Sequence, residues 1–152
     1  MWNAVWFKRD LRDHEPLARV AVRGPVLSIH VIEPALWRQP DASGRHWAFI
    51  RESLLALRAD LHRHGLPLVV RLGEIVDVLD RLNRKVGIKT LSAHQETGNG
   101  WTFARDLRVQ AWCRTHGMLE QAAAVLDKHG SRKRPAARKP VIPPQGDLFG
   151  AP

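Results

Sequence analysis

The stretch Ala93-His94-Gln95-Glu96-Thr97-Gly98-Asn99-Gly100-Trp101-Thr102-Phe103-Ala104-Arg105-Asp106 joins a predicted strand to a predicted helix. The segment before it, 87–92, is typical of a buried strand, and the segment from about Thr102 to Thr115 is typical of a helix. Between them lies a polar loop that contains one acid, Glu96, and one amide, Asn99. Because ligands of open α/β sheets bind at the carboxyl ends of strands, this loop is a candidate binding site.

Strands and helices alternate along the first 117 residues. This alternation is typical of a doubly wound, mainly parallel sheet of about five strands flanked by helices. The loops that follow the predicted strands should share one edge of the sheet, where a small molecule would bind. The predicted strands are 3–7, 26–32, 67–71 and 87–92; the predicted helices are about 16–22, 45–64, 74–82 and 102–115.

The chain divides into three parts by composition. Residues 1–117 form the predicted α/β domain, and residues 118–127 are an atypical last element, either a helix or a degraded fifth strand. Residues 128–152 carry a net charge of +5 out of +9 for the chain and contain five prolines, which predicts a disordered basic tail. Such a tail would attract DNA through counterion release, or would only aid solubility.

Apolar spacing predicts the core. Trp47, Ile50, Leu54, Leu57 and Leu61 recur at steps of three and four and should form one buried stripe of the longest helix. Trp112 should also be buried, beside Cys113 as a packed, unreactive thiol. Trp37 and Trp101 lie in predicted loops, where an indole could stack on a flat heterocycle or simply anchor the loop.

Several classes of site are disfavoured. Neither a GxGxxG pattern nor a P-loop follows the first strand, and the scattered histidines predict no metal site. No apolar run is long enough to cross a membrane, and the amino terminus has no apolar signal core. A single cysteine fits a reducing compartment, so we expect a cytoplasmic protein.

Two polar loops remain open to more than one interpretation. The turn 8–13 could hold an anion on its backbone amides, aided by Arg9 or Arg12, or its arginines and aspartates could only organise the turn. Glu96 could accept a hydrogen bond from a ring N–H with Asn99 as its partner, or it could stabilise the start of the following helix.

Five motifs in order resemble the photolyase and cryptochrome family. The opening strand and loop, Trp6-Phe7-Lys8-Arg9-Asp10-Leu11-Arg12, is similar to the start of that family's α/β domain. Val31-Ile32-Glu33-Pro34 with 43–50, then 67–74, then 94–106 and Trp112-Cys113 continue the resemblance to about residue 117. The turn at Asp13 is about two residues shorter than in the family, which should reshape one wall of the cleft.

The resemblance implies a Rossmann-like domain that can hold an antenna chromophore of the folate, deazaflavin or flavin type in a cleft at the strand ends. The positions of this chain that fall on the corresponding loops are Arg9, Asp10, Arg12, Glu33, Arg45, Ile50, Glu96, Gly98 and Asn99.

The resemblance also implies that the catalytic functions belong to a second domain. In the family a large helical domain holds FAD, the electron-relay tryptophans and the pocket for a flipped pyrimidine dimer, and no part of these 152 residues resembles it. We therefore expect a truncated or stand-alone domain that binds an antenna chromophore at most, does not bind FAD and is not catalytically competent alone. Its gene would be truncated, frameshifted or split, with the FAD domain encoded separately, or a pseudogene.

The end of the tail suggests an alternative function. Gln145-Gly146-Asp147-Leu148-Phe149 resembles the short peptide by which bacterial repair proteins dock on the sliding clamp. Leu148 and Phe149 would enter an apolar pocket while Gln145 hydrogen-bonds at its edge. The alternative is therefore a non-enzymatic DNA-repair adaptor that contacts DNA and the clamp through its tail.

Overall fold

In the part of the chain that the structure describes, four strands form one parallel sheet: β1 (Trp2–Phe7), β2 (Val26–Ile32), β3 (Leu68–Leu72) and β4 (Ile88–Ala93). Their order across the sheet is β3-β2-β1-β4, so β1 is central and pairs with both β2 and β4. The computed structural model describes residues 1–9, 11, 17, 20–93 and 98–118. Apart from Met118, the predicted last element at 118–127 lies outside these residues, as does the predicted tail at 128–152.

Helices connect the strands: α1 (Pro34–Trp37), α2 (Gly44–Arg63), α3 (Ile75–Val86) and α4 (Gly100–Thr115). The prediction placed α2 and α4 to within two residues and ended α3 four residues early. It did not include α1, a single turn that begins with a proline, where the missing N–H does no harm. Within the described part of the chain, no helix is long and apolar enough to cross a membrane.

Side-chain caps explain where the three longer helices begin. Ser43 Oγ accepts from the amide of His46 before α2, Glu74 Oε2 accepts from two amides before α3, and Asn99 Oδ1 accepts from the amide of Thr102 before α4. Each bond satisfies an amide that has no partner inside its helix. Gly65 follows α2 with φ +69°, a left-handed conformation that favours glycine directly after a helix.

The sheet has an apolar core on each face. On one face, β1 and β2 pack against α3 and α4 through Trp6, Ile29, Leu79 and Trp112. On the other face, the stripe of α2 packs on β1 and β2, and its members Ile50, Leu54, Leu57 and Leu61 are all buried. Two covered faces are the mark of a doubly wound sheet, so the predicted fold class is confirmed.

Two predictions about individual core residues have different outcomes. Trp112 and Cys113 are buried on α4 as expected, at 7% and 2% exposure. The prediction for Trp47 is wrong, because its side chain is exposed at 37% and belongs to neither core. Trp47 lies in the first turn of α2, one turn before Ile50 reaches the sheet. Its ring instead meets the ring of Trp37 edge-on at 5.3 Å between centroids.

Candidate functional site

A cluster of four charged side chains lies where β1 and β2 end. Lys8 follows β1, Glu33 follows β2, and Arg105 and Asp106 belong to the second turn of α4. Only 2% of the Arg105 side chain and 3% of the Glu33 side chain are exposed to solvent, against 22% for Asp106. We call Lys8, Glu33, Arg105 and Asp106 the charged cluster.

Charges of opposite sign alternate through the charged cluster. Glu33 Oε1 accepts from Arg105 Nη1 at 3.1 Å, and Asp106 Oδ1 accepts from Arg105 Nε at 3.0 Å. Asp106 Oδ2 then accepts from Lys8 Nζ at 2.8 Å. Buried charges are tolerated when they are paired in this way, so the cluster ties α4 to the ends of two strands.

Aromatic rings surround the two cations. Lys8 Nζ lies 4.7 Å from the centre of the Trp6 ring, and Arg105 Cζ lies 4.9 Å from the same ring. Arg105 Cζ also lies 5.6 Å from the ring of Trp101. Attraction of a cation to the face of an indole is strengthened by desolvation. Trp101 therefore packs against Arg105. Of the two roles predicted for this indole, the contact favours anchoring over stacking on a ligand.

Glu33 has an unusual protonation equilibrium. Burial raises the pKa of the Glu33 carboxyl to about 7, and the charge and hydrogen bond of Arg105 oppose that rise. Its Oε1 is bound by Arg105, whereas Oε2 is buried and has no hydrogen-bond partner among the described residues. A buried carboxylate oxygen without a donor is a costly feature of a folded protein, and such features concentrate at functional sites.

A cleft opens beside the charged cluster, at the carboxyl ends of β1 and β2. The space within it is about 20 Å³, close to what one water molecule needs. His30 at its base donates from Nδ1 to the carbonyl of Phe7 at 2.8 Å, and burial lowers the pKa of this histidine. The imidazole is therefore neutral near pH 7. The cleft is lined by Trp6, Lys8, Arg9, His30, Val31, Glu33, Leu36, Trp37, Ile50 and Arg105.

Three of the residues predicted to bind a chromophore line this cleft: Arg9, Glu33 and Ile50. Arg45 is exposed in the first turn of α2 and is not among the lining residues. Six further predicted positions lie outside the described residues: Asp10, Arg12, Glu96, Gln145, Leu148 and Phe149. A chromophore contact by any of the predicted residues stays a prediction.

Gly98 and Asn99 shape the start of α4. Both ends of the Asn99 side-chain amide are engaged: Oδ1 accepts from the Thr102 amide at 3.1 Å, and Nδ2 donates to the carboxylate of Asp41 at 3.2 Å. A Cβ atom added at Gly98 would lie 2.1 Å from Thr102 Oγ1. Gly98 therefore allows the chain to pass close to the buried Thr102.

The sequence contained a signal for Arg105 that our prediction did not use. The buried residues of α4 are Thr102, Arg105, Val109, Trp112 and Cys113, which recur at helical spacing on one face. An arginine within such a stripe requires a buried acid as its partner. The acid is Glu33, 72 residues earlier in the chain, and only the fold shows that the two meet.

Other reactive groups do not form a site within the described part of the chain. Burial raises the pKa of the Cys113 thiol to about 11, so the thiol stays protonated at neutral pH and is a poor nucleophile. The described residues contain no group of three or more His, Cys, Asp and Glu side chains that could hold a metal ion.

Residues 3–126 match the family model for DNA photolyase. The chain belongs to this family. The photolyase match continues past residue 117, where the motifs quoted above end.

Individual relatives and a solved structure are also photolyases or cryptochromes. A cryptochrome DASH of Oryza sativa is 31% identical over 148 residues, which are 91% of this chain and 24% of the relative. A deoxyribodipyrimidine photo-lyase of Salmonella typhimurium is 39% identical over 71 residues, or 44% of this chain and 15% of that one. A Synechocystis cryptochrome superposes with a TM-score of 0.70 and 23% identity over 78% of this chain and 26% of its own, which confirms the fold.

The chain therefore spans about a quarter or less of the length of these photolyase-family relatives. What it shares with them is the α/β domain.

Proposed function

We propose that this photolyase-family domain binds a planar heteroaromatic chromophore at the cleft and acts as a light-collecting unit. One observation carries the proposal: the cleft combines the apolar side chains of Trp37 and Ile50 with the buried Oε2 of Glu33, which has no hydrogen-bond partner among the described residues. Ligand sites typically join apolar walls to a few convergent polar groups. A flat ring would contact Trp37 and Ile50 while a donor on its edge reaches Glu33.

The small volume of the cleft bears on how a ring would bind. Because the space is about 20 Å³, a ring would lie across the mouth of the cleft, with only its polar edge directed inward. Trp37 and Trp47, which meet edge-on, would form the aromatic side of that mouth. When bound, the chromophore would supply absorption of near-ultraviolet or blue light. The residues of this chain would hold and orient it.

Reconstitution tests this proposal. The purified protein is mixed separately with a folate, a deazaflavin and a flavin, and uptake is measured from absorbance after gel filtration and from quenching of tryptophan fluorescence. We expect uptake of at least one class, and Trp37→Ala should weaken it about tenfold by removing a stacking surface. Leu55→Ala, at an exposed position of α2, is the matched control and should bind normally. A protein that takes up none of the three classes would refute the proposal.

Repair of DNA is proposed for this domain only in combination with a FAD-binding domain, whether on this protein or on another chain. Splitting a pyrimidine dimer needs electron donation from a flavin at close range, and the cleft described here would only collect light. The protein of residues 1–152, assayed alone under blue light with thymine-dimer DNA, should give no repair above the dark control. Repair by the 152 residues alone would contradict this part of the proposal.

A second candidate function is favoured by the basic tail. Residues 128–152 carry a net charge of +5, and the segment 145–149 resembles a clamp-docking peptide. The domain would then serve as an adaptor that brings a repair protein to DNA or to the sliding clamp. Deleting residues 128–152 should weaken binding to duplex DNA in a salt-dependent manner. Replacing Leu148 and Phe149 with alanine should abolish clamp binding only. Unchanged affinities in both assays would exclude the adaptor function.

A further inference from the structure

The helix α4 carries apolar side chains on two opposite sides. On one side, Val109 and Trp112 are buried in the core beneath the helix. On the other side, Phe103 and Leu107 are exposed to solvent at 67% and 49%. These two residues are four apart, so they are neighbours on the helix surface. A helix at the surface of a globular protein normally has polar residues at such positions.

The neighbouring helix α3 has the normal pattern. Its buried side is apolar, and its exposed residues are charged apart from Val86 at its last position; they are Asp77, Arg81, Arg84, Lys85 and Val86. The two helices cover the same face of the sheet, so the layer they form does not by itself require an apolar exterior. The exposed apolar side chains of α4 are therefore specific to that helix.

Alanines extend the exposed apolar surface of α4. Ala104 and Ala111 are exposed and lie on the same side of the helix as Phe103 and Leu107. We call these four residues the outer face of α4. Phe103, Leu107 and Ala111 recur at steps of four, which is the ridge that packs into the groove of a second helix. Beside this ridge, a small side chain such as Ala104 lets the second helix approach closely.

The charges at the border of the outer face are positive. Arg108 is half exposed and lies 3.6 Å from Glu74, and Arg114 is exposed and has no ion pair within the described part of the chain. The one acid of α4, Asp106, is already bound within the charged cluster. A partner with carboxylates on either side of an apolar stripe would complement this border.

We propose that the outer face of α4 docks an acidic amphipathic helix of a partner protein. Its apolar stripe would pack on Phe103 and Leu107, and its glutamates or aspartates would pair with Arg108 and Arg114. Helix-on-helix docking of this kind is a recurring mode of recognition. None of the outer-face residues lines the cleft, so this inference does not depend on chromophore binding.

Charge disfavours two other occupants of the outer face. A second copy of the chain would bring its own Arg108 and Arg114 against the same pair, and like charges in an interface oppose association. Residues 128–152 of the same chain carry a net charge of +5 and would be repelled in the same way.

A pair of synthetic peptides tests the proposal. Each has about 18 residues, enough for an isolated helix, and both share one stripe of leucines at helical spacing. Glutamates flank the stripe in one peptide, and lysines flank it in the other. Fluorescence anisotropy of the labelled peptides measures their dissociation constants. The glutamate peptide should bind about tenfold more tightly at low salt, and the difference should shrink at high salt.

Two substitutions separate the apolar and the charged contributions. Leu107→Gln should weaken binding of the glutamate peptide about tenfold, whereas Leu55→Gln, at an exposed leucine of α2, should leave it unchanged. Arg114→Glu should remove the preference for glutamate over lysine. Arg58→Glu changes the net charge by the same amount on the exposed surface of α2 and should keep the preference. Circular dichroism checks that each variant is folded.

Three results would overturn the proposal. The first is absence of binding by the glutamate peptide, or binding that Leu107→Gln leaves unchanged. The second is Leu107-dependent binding to vesicles of phosphatidylglycerol and phosphatidylcholine without any difference between the peptides, which would make the outer face a membrane contact. The third is a dimer in sedimentation that Leu107→Gln dissociates, which would make a second copy the occupant.

Discussion

The turn after β2 and the turn after β3 each place a glutamate directly before a helix, Glu33 before α1 and Glu74 before α3. Glu74 Oε2 accepts from the amides of Val76 and Asp77 at 2.8 and 3.2 Å. Glu33 makes no such cap, and its carboxylate is buried against Arg105 instead. The same residue at the same local position thus stabilises a helix in one turn and faces a cleft in the other.

Local backbone chemistry accounts for part of this difference. Pro34 follows Glu33 and has no N–H, and the amides of Leu36 and Trp37 both bond to the Glu33 carbonyl. These amides therefore have an acceptor without the side chain. After Glu74, the amides of Val76 and Asp77 depend on the carboxylate. The comparison shows that a strand–Glu–helix turn does not by itself determine what the glutamate does.

The largest effect on stability should come from Arg105→Met. This substitution removes the ion pair with Glu33, the contact that distinguishes the turn after β2 from the turn after β3. Removing one partner of a buried ion pair leaves an uncompensated charge, so we expect a loss of about 3–5 kcal/mol in the free energy of unfolding. The loss should be greater at pH 8 than at pH 5, because Glu33 is neutral at the lower pH. Urea unfolding measures it, with the exposed Arg114→Met as the control. A loss as small as that of the control would show that the pair does not contribute.

Glu33→Gln should change the pH dependence of stability. The folded pKa of about 7 lies above the ordinary value of 4.5, so the folded state binds this proton more tightly than the unfolded state. Stability should therefore fall as the pH rises from about 4.5 to about 7 and level off above that. The total is roughly 3 kcal/mol.

The variant should lack this fall, and subtracting its unfolding curves from those of the wild type at pH 5, 6, 7 and 8 isolates the contribution of Glu33. Parallel pH profiles would mean that the carboxyl titrates normally.

Gly98→Ala extends the comparison to the turn after β4, where Asn99 caps the helix that carries Arg105. The added Cβ would meet Thr102 Oγ1 at 2.1 Å, and Thr102 is buried with its hydroxyl bonded to the Asn99 carbonyl. We expect a loss of about 2 kcal/mol from overpacking. Gly100→Ala meets nothing within 4 Å and should be neutral or slightly stabilising. Thermal unfolding of the two variants compares them; equal melting temperatures would contradict the close approach.

The smallest effect on stability is expected for Glu74→Ala, which removes the side-chain cap of α3, the helix that follows the turn after β3. Loss of a capping acceptor typically lowers stability by about 1 kcal/mol. The change should not depend on ligand, because Glu74 does not line the cleft. Chemical unfolding measures it against Glu52→Ala as an exposed control. A loss of stability as large as that of Arg105→Met would contradict this difference between a capping glutamate and a buried, ion-paired one.

The sequence predicted the fold well because the fold depends on local periodicity. Continuous apolar runs marked β1 and β2, and the stripe Ile50, Leu54, Leu57 and Leu61 marked the buried face of α2. Periodicity alone placed Trp47 on that stripe, where the structure exposes it, because spacing does not show where a helix extends past its sheet.

The site was predicted less completely, since it depends on contacts between distant residues. Glu33, Arg9 and Ile50 were selected and do line the cleft. Arg105 was not selected, and Trp37 was given only as either a stacking surface or a loop anchor. Arg105 and Glu33 are 72 residues apart in the sequence, and no local pattern around either residue predicts that it contacts the other. The half-buried Trp37, which the structure places at the end of α1, shows the same limit: its position beside Ile50 follows from packing and not from its local sequence.

The central position of β1 has a consequence for how the chain is made. β1 is synthesised first, yet one of its two neighbours, β4, ends only at Ala93, 61 residues after β2 ends at Ile32. At a translation rate of roughly 5–20 residues per second, the nascent chain waits about 3–12 s with one side of β1 unpaired. An unpaired strand edge is a template for association with other chains. The ribosome-bound protein should therefore depend most on chaperones during this interval, before β4 has left the exit tunnel.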